Sequence, residues 1–151
     1  MPSFTKNINT ISRCAHAYRS DSFGGSGLGP SHYFYVLQIC NNPGISQEQL
    51  AKNLYINKSS VTRAIDALEE NGFAKRHGCD ADKRITLVYP TEKAMEMLPT
   101  VKQIADSWNQ FLLSDLSDEE RDQFLATLEK VTKKAQSYID LNLTAKELHQ
   151  K

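Results

Sequence analysis

The residues best suited to chemistry lie on one face of the segment INKSSVTRAIDALEENGF, positions 56–73. Its apolar residues have the spacing of a helix that packs one side against a core: Val61, Ala64, Ile65 and Leu68. The opposite face of the first two turns carries mainly short hydrogen-bonding side chains: Lys58, Ser59, Ser60, Thr62 and Arg63. Such side chains can approach base edges and phosphate oxygens, which would repel acidic ones. We therefore predict a nucleic-acid contact surface, with ordinary solvated helix-start residues as the alternative.

The residues before this segment predict a second short helix that positions it. A capping box of Ser46 and Gln49 begins this helix directly after the turn NNPG at 41–44. Only residues 55–57 separate it from the next helix, for which Asn57 is a suitable N-cap. Two short helices joined so closely predict a helix-turn-helix, whose second helix enters the DNA major groove with its N-terminal residues at the base edges.

A pair of predicted strands follows the helix-turn-helix. FAKRH at 73–77 and RITLVY at 84–89 have the alternation and β-branched content of paired strands, and GCDADK at 78–83 is a Gly- and Asp-rich hairpin tip. Lys83 and Arg84 lie at this tip. A basic hairpin in this place predicts a winged arrangement, in which an Arg of the wing enters the narrow, electronegative minor groove.

The first of these strands carries two further basic residues, Lys75 and Arg76. They either contact the DNA backbone or are solvated, and the sequence favours neither reading. Asp66 and Glu69 lie further along the preceding helix, so only the N-terminal half of that helix is expected to face phosphates and bases.

These segments together carry a family resemblance. The run GISQEQLAKNLYINKSSVTRAIDALEENGFAKR, followed by DADKR and PTEKA, resembles the MarR family of winged helix-turn-helix transcriptional regulators. The resemblance covers residues 28–95, and its most specific part is the D-x-R motif of the wing, met by Asp82 and Arg84. In that family the Arg contacts the minor groove and the Asp helps to hold the wing, and the resemblance implies these roles here. Pro90 and Ala94 stand where the family usually has Leu and Gly, at the join between strand and helix.

Long amphipathic helices are predicted at both ends of the chain. The first has an apolar stripe of Phe4, Ile8, Ile11, Ala15 and Tyr18. Two later stripes comprise Ala94, Leu98, Val101, Ala105, Trp108 and Leu112, and then, after a capping box at 117–120, Phe124, Leu128, Val131, Ala135 and Tyr138. A winged domain of about 60 residues is too small to cover all three stripes. Residues 1–22 and 91–146 are therefore predicted to form a helical dimerisation region, and residues 30–90 the winged DNA-binding domain.

The predicted fold class is thus mainly α with a small β-hairpin wing and long dimerisation helices from both termini. The predicted assembly is a homodimer, as the MarR resemblance also implies. Two-fold symmetry would place the two recognition helices on successive major-groove turns, about 34 Å apart, which implies a pseudopalindromic site in double-stranded DNA.

Composition restricts the class of protein further. The 18 basic and 18 acidic residues cancel, but the acid excess is confined to residues 91–151, which leaves room for a positive surface elsewhere. The longest apolar run, Tyr33 to Leu37, is far below the roughly 20 residues that cross a bilayer, and the start has no signal core. Cys14, Cys40 and Cys79 are widely spaced and form no CxxC motif. We expect a soluble cytoplasmic protein with reduced thiols and no membrane partner.

No motif for catalysis, a metal or a cofactor is found. The four histidines, His16, His32, His77 and His149, fall in different segments, and neither HExxH nor GxSxG occurs. The stretch FGGSGLGP at 23–30 lacks the strand and the GK[ST] of a phosphate-binding loop and is interpreted as a flexible connector. We expect a protein that is not an enzyme and holds no metal or cofactor.

A regulator also needs a means of control. The resemblance implies a small aromatic or anionic effector between the DNA-binding lobes and the dimer helices, with Tyr18, His32, Tyr35 and Trp108 as candidate walls. The alternative is that all four are simple core or interface aromatics. Cys14 also resembles the sensor Cys of thiol-sensing relatives, although a Cys beside an apolar seam is usually buried and inert.

The predicted function is a sequence-specific transcriptional regulator, in the family-typical case a repressor, that is relieved by an effector. One alternative is a thiol-based oxidant sensor acting through Cys14. The other is an architectural module that binds DNA or protein without sequence preference, which the salt dependence of binding would distinguish.

Overall fold

Helices account for most of the chain. The computed structural model describes residues 3–148, and from residue 143 onward it describes the backbone alone. The elements are α1 (Phe4–Ser22), α2 (Tyr33–Asn41), β1 (Ile45–Ser46), α3 (Gln47–Leu54), α4 (Lys58–Glu70), β2 (Ala74–Gly78), β3 (Thr86–Pro90), α5 (Glu92–Leu113) and α6 (Asp118–Leu148). The predicted fold class is confirmed, because the hairpin of β2 and β3 directly follows two short, closely joined helices. His149, like positions 1 and 2 of the predicted dimerisation region, lies outside the described residues.

The small sheet has three antiparallel strands in the order β1-β3-β2. β2 and β3 form the predicted hairpin, with Arg76 opposite Val88. β1 is not predicted by the sequence pattern, because two residues are too few to show alternation and Ser46 is also the N-cap of α3. Gly44 leads into β1 with a left-handed φ of +84°, and a Cβ there would lie 3.0 Å from the Tyr89 hydroxyl oxygen.

The core fixes the rotation of α4 about its own axis. Val61, Ile65 and Leu68 are almost completely buried. They pack in one cluster with Leu50 of α3 and Phe73, which directly precedes β2. Burying one such side chain contributes roughly 1.5–3 kcal/mol, so several together keep the opposite, polar face of the helix outward.

The connector between α1 and α2 differs from the expectation. It is packed rather than loosely solvated, since Phe23 and Leu28 are buried in the core. Pro30 lies before α2 rather than in its first turn. The His32 backbone N–H donates to the Gly29 carbonyl and closes a separate turn, so α2 begins only at Tyr33.

The two predicted N-caps of the helix-turn-helix are both formed. The Ser46 hydroxyl accepts from the Gln49 backbone N–H at 3.0 Å, although the Gln49 side chain donates to Asn53 instead of completing the capping box. The Asn57 side-chain oxygen accepts from the Ser60 backbone N–H at 2.8 Å and from the Ser59 hydroxyl at 2.7 Å. Asn57 therefore orders the first turn of α4 and two of its candidate contact residues.

We expect Asn57→Ala to lower the free energy of unfolding by about 1 kcal/mol, the usual cost of losing a side-chain N-cap. Asn57→Asp keeps the acceptor oxygen and should retain most of that stability. Urea unfolding at one fixed protein concentration measures both variants. Equal stability of Asn57→Ala and the wild type would show that the cap does not hold α4.

The chain divides into two compact units, Met1–Asn109 and Gln110–Lys151. In the second unit, α6 begins with the predicted capping box, formed reciprocally by Ser117 and Glu120 at 2.9 and 3.2 Å. None of the described side chains of α6 is buried, and its exposed apolar residues are Phe124, Leu125, Val131, Tyr138, Ile139 and Leu141. Among the described residues, no helix combines the length and the apolar character needed to cross a membrane.

Candidate DNA-binding interface

The outward face of α4 presents most of the predicted recognition residues. Lys58, Ser59, Thr62 and Arg63 are exposed, whereas Ser60 is half-buried. The Thr62 hydroxyl donates to the Lys58 carbonyl at 3.0 Å, and Arg63 donates to the Ser60 hydroxyl at 3.1 Å. These local hydrogen bonds hold the Thr62 and Arg63 side chains close to the helix, so that α4 can approach base edges closely.

The first turn of α3 extends this polar surface, which the sequence pattern alone does not predict. The Gln47 amide donates to the Thr62 hydroxyl at 3.2 Å. Glu48 pairs with Lys58 at 3.1 Å, but both side chains are exposed, so the pair is weak and can exchange for a phosphate. The short link between the two helices could have indicated these contacts, because it brings the first turns of α3 and α4 close together.

The wing tip holds its arginine in a defined position. Arg84 has a side chain that is 91% exposed. Asp82 accepts from the Arg84 backbone N–H at 3.0 Å, from Nε at 3.1 Å and from Nη2 at 3.2 Å. The two carboxylate oxygens thus bind one edge of the guanidinium, while the neighbouring Lys83 is also exposed.

The Asp82–Arg84 pair lowers the pKa of the Asp82 carboxyl below its ordinary value of 3.8, chiefly through the side-chain hydrogen bond and then the backbone one. Because the folded pKa is depressed, the pair contributes its stabilisation above the ordinary pKa of 3.8, and this contribution is lost as the pH falls through the lower folded pKa. An NMR titration of the Asp82 carboxyl carbon should give a midpoint below 3.8. Arg84→Ala should raise this midpoint and Lys83→Ala should not; an unchanged midpoint in Arg84→Ala would contradict the pairing.

The basic residues of β2 divide between the two faces of the sheet, as strand alternation requires. Lys75 is exposed, and His77 on the same face stacks edge-on against Tyr89 with ring centres 5.4 Å apart. Arg76 points the other way, is 21% exposed, and contacts α3 and α4. Its guanidinium pairs with Asp66 and Glu69, each at 2.7 Å.

The four candidate effector residues form two separate pairs. Tyr18 and Trp108 stack with ring centres 5.0 Å apart. His32 and Tyr35 meet edge-on at 6.3 Å. Burial lowers the pKa of His32, which favours the neutral imidazole, and raises the pKa of Tyr35.

The second pair lines a cleft. His32 and Tyr35 lie beside an open cleft of about 320 Å³, together with Phe34 of α2 and with Ser60 and Arg63 of α4. This cleft lies between α2 and the recognition helix α4.

The cysteines differ in their surroundings. Cys14 is exposed on α1 rather than buried, Cys40 is buried and Cys79 is half-buried, and all three are free thiols. Burial raises the pKa of the Cys40 thiol. Among the described side chains, those of residues 3–142, no group of three or more His, Cys, Asp or Glu residues could hold a metal ion.

Comparison with known proteins supports the interpretation drawn from this geometry. The MarR family profile matches residues 28–86. The uncharacterised helix-turn-helix-type transcriptional regulator YybA of Bacillus subtilis (strain 168) is 29% identical over 133 residues, which make up 88% of this chain and 89% of YybA. A MarR family transcriptional regulator from Listeria monocytogenes, crystallised with a 26mer DNA, is similar at a TM-score of 0.83 and 27% identity over 91% of each chain.

The transcriptional regulator SlyA provides a further match across nearly the whole chain. Its crystal structure has a TM-score of 0.84 and 30% identity, and the match covers 88% of this chain and 94% of the SlyA chain. The profile and this relative agree with the winged helix-turn-helix formed by α3, α4, β2 and β3. The chain therefore belongs to the MarR family of transcriptional regulators.

Proposed function

We propose that this MarR-family regulator binds a pseudopalindromic DNA site as a homodimer and represses transcription until a small effector releases it. One observation carries the proposal: the same compact unit has an exposed polar face on α4 and an exposed arginine, Arg84, at the tip of the wing. The similar Listeria protein forms a complex with DNA, which supports the same partner for this chain. The matched relatives are transcriptional regulators, a class of protein that is not enzymatic.

In this proposal, α4 supplies the contacts in the major groove. Ser59, Thr62 and Arg63 are exposed on its N-terminal half and contact base edges. Lys58, and the half-buried Ser60 to a lesser extent, contact phosphates. Lys58 would exchange its exposed partner Glu48 for a phosphate oxygen on binding.

The wing supplies the contacts outside the major groove. Arg84 enters the minor groove, where a narrow width strengthens the attraction of a cation. Asp82 orients Arg84, and Lys83 contacts a phosphate beside it. Of the two basic residues on β2, the exposed Lys75 is the better candidate for a backbone contact, because the Arg76 guanidinium is already paired within the chain.

Exposed apolar surface on the long helices supports the homodimer. On α1, Phe4, Ile8 and Ile11 are exposed, and α6 carries a second set of exposed apolar residues. Exposed apolar side chains grouped along a helix are typical of a subunit interface. We therefore retain residues 1–22 and 91–146 as the dimerisation region and residues 30–90 as the winged DNA-binding domain.

The cleft beside α4 supports control by an effector. Its volume of about 320 Å³ suits a small molecule. Phe34 and Tyr35 offer aromatic walls, and Arg63 offers a positive charge to a carboxylate. Because Arg63 and Ser60 also belong to the proposed DNA contacts, an aromatic acid in this cleft would compete with DNA for them.

A DNA selection tests this function. The purified full-length protein is incubated with a random-sequence DNA pool at two salt concentrations, and the bound DNA is sequenced. We expect an enriched pseudopalindrome whose half-site centres lie about one helical turn, roughly 10 base pairs, apart. Sequence-blind binding with a steep salt dependence would instead favour an architectural module.

A further inference from the structure

The guanidinium of Arg76 connects three elements of the winged domain. Arg76 lies on β2, and its Nε donates to the Gln47 side-chain oxygen of α3 at 2.8 Å. Its Nη1 pairs with Asp66 and Glu69 of α4, each at 2.7 Å, and its Nη2 donates to the Thr62 carbonyl at 3.0 Å. One side chain therefore joins the wing to both helices of the helix-turn-helix.

Glu69 strengthens this junction by holding Arg76 twice. One carboxylate oxygen accepts from the Arg76 backbone N–H at 2.7 Å, and the other accepts from its guanidinium at 2.7 Å. β2 is an edge strand of the sheet, so its outward N–H groups lack a strand partner. The carboxylate thus replaces a neighbouring strand at this position and attaches the backbone of the wing to α4.

The junction also reaches the face of α4 that is proposed to contact bases. Gln47 accepts from Arg76 through its oxygen and donates through its amide to the Thr62 hydroxyl at 3.2 Å. Thr62 is therefore held on both sides, by its carbonyl to Arg76 and by its hydroxyl to Gln47. A displacement of the wing would alter contacts at the recognition face itself.

Burial and charge distinguish Arg76 from the arginine at the wing tip. The Arg76 side chain is 21% exposed and that of Arg84 is 91% exposed. Two carboxylates compensate the charge of Arg76, which leaves it little attraction for a phosphate. The planar fork of five donors allows four separate acceptors to be bound at once, which a Lys ammonium with three donors cannot reproduce in the same geometry.

We propose that Arg76 is a positioning residue that fixes the wing relative to the recognition helix, so that Arg84 and α4 engage one half-site together. This inference rests on the proposed DNA-binding function, and it assigns to Arg76 the positioning of the DNA-contacting residues of the wing and α4. A wing held in advance does not have to be ordered on binding, so more of the Arg84 contact contributes to affinity.

A double-mutant cycle tests the proposal. The dissociation constant for the selected DNA site is measured with and without Arg84→Ala, in the wild type and in Arg76→Met/Glu69→Gln, which removes the junction without changing net charge. In the wild type we expect Arg84→Ala to weaken binding about 10-fold or more. In the Arg76→Met/Glu69→Gln variant, Arg84→Ala should weaken binding less than about 2-fold, because the wing no longer holds Arg84 in position for the minor groove.

A second variant covers the case in which the double substitution does not fold. Arg76→Lys keeps the positive charge but loses the fork, and it should also reduce the Arg84→Ala penalty. Lys75→Met is the matched control on the opposite face of β2. The dissociation constant of Lys75→Met/Arg84→Ala should rise by the product of the two single effects, to within about twofold. Arg84→Ala should also lower the salt slope of binding by about one ion in the wild type, but not in the Arg76 variants.

The outcomes separate the inference from the function on which it rests. An undiminished Arg84→Ala penalty in folded Arg76 variants would overturn the positioning role, while DNA binding through the wing would stand. If Arg84→Ala had no effect in the wild type, the proposed role of the wing would itself be wrong, and the positioning role would fall with it.

Discussion

Replacing Ile8 and Ile11 together by aspartate should convert the protein to monomers and weaken binding to the selected DNA site by at least roughly 100-fold. The two side chains are 40% and 43% exposed on α1, beside the exposed Phe4. In a homodimer they would be buried, and an unpaired carboxylate in an apolar interface is strongly unfavourable. A monomer also engages only one half-site, so it loses the contribution of the second recognition helix and wing.

Sedimentation velocity and DNA titration of the same samples measure both effects. Asn9→Asp with Thr10→Asp is the matched control, since it adds the same charge to exposed positions outside the predicted apolar stripe of α1. This control should remain dimeric and lose little affinity. A double Ile variant that stayed dimeric, or that became monomeric with unchanged affinity, would refute the interface on α1.

Arg84→Ala should weaken specific binding by about 10- to 100-fold, or roughly 1.4–2.8 kcal/mol, which lies within the range of roughly 1–3 kcal/mol for one specific arginine contact. The loss should depend on sequence, because a cation in the minor groove prefers the narrow groove of A·T-rich DNA. Arg84 is suited to this contact since Asp82 holds one edge of its guanidinium and leaves the rest exposed.

The measurement compares two versions of the selected site, with A·T-rich or G·C-rich flanks. The wild type should prefer the A·T-rich flanks, and Arg84→Ala should bind both versions nearly equally. Lys83→Ala is the matched control, because a phosphate contact should weaken binding to both sites alike and leave the preference intact. A preference retained by Arg84→Ala would place the minor-groove contact elsewhere.

Local signals in the sequence predicted the DNA-binding elements well. Ser46 and Asn57 have the side chains of N-caps and occupy those positions, because capping depends only on residues in the next turn. The apolar spacing of α4 identified its buried face and hence its outward polar face. The MarR resemblance then identified Asp82 and Arg84 as a pair, and the structure joins them by three hydrogen bonds.

Contacts between distant parts of the sequence could not be predicted in the same way. The junction of Arg76 with Gln47 joins residues 29 positions apart, and no spacing rule relates them. The strand β1 depends on its pairing with β3 rather than on its own two residues. The effector candidates share aromatic character, but only the packing of α2 against α4 determines that His32 and Tyr35 line a cleft.

The most direct test of the account is a footprint of the protein on its selected DNA site, with hydroxyl radicals for the minor groove and base methylation for the major groove. We predict two blocks of major-groove contacts about one helical turn apart, each flanked by minor-groove protection that disappears in Arg84→Ala. A single block of contacts, or a footprint in which methylation of individual bases shows no protection in the major groove, would contradict a dimer that recognises DNA through α4 and the wing.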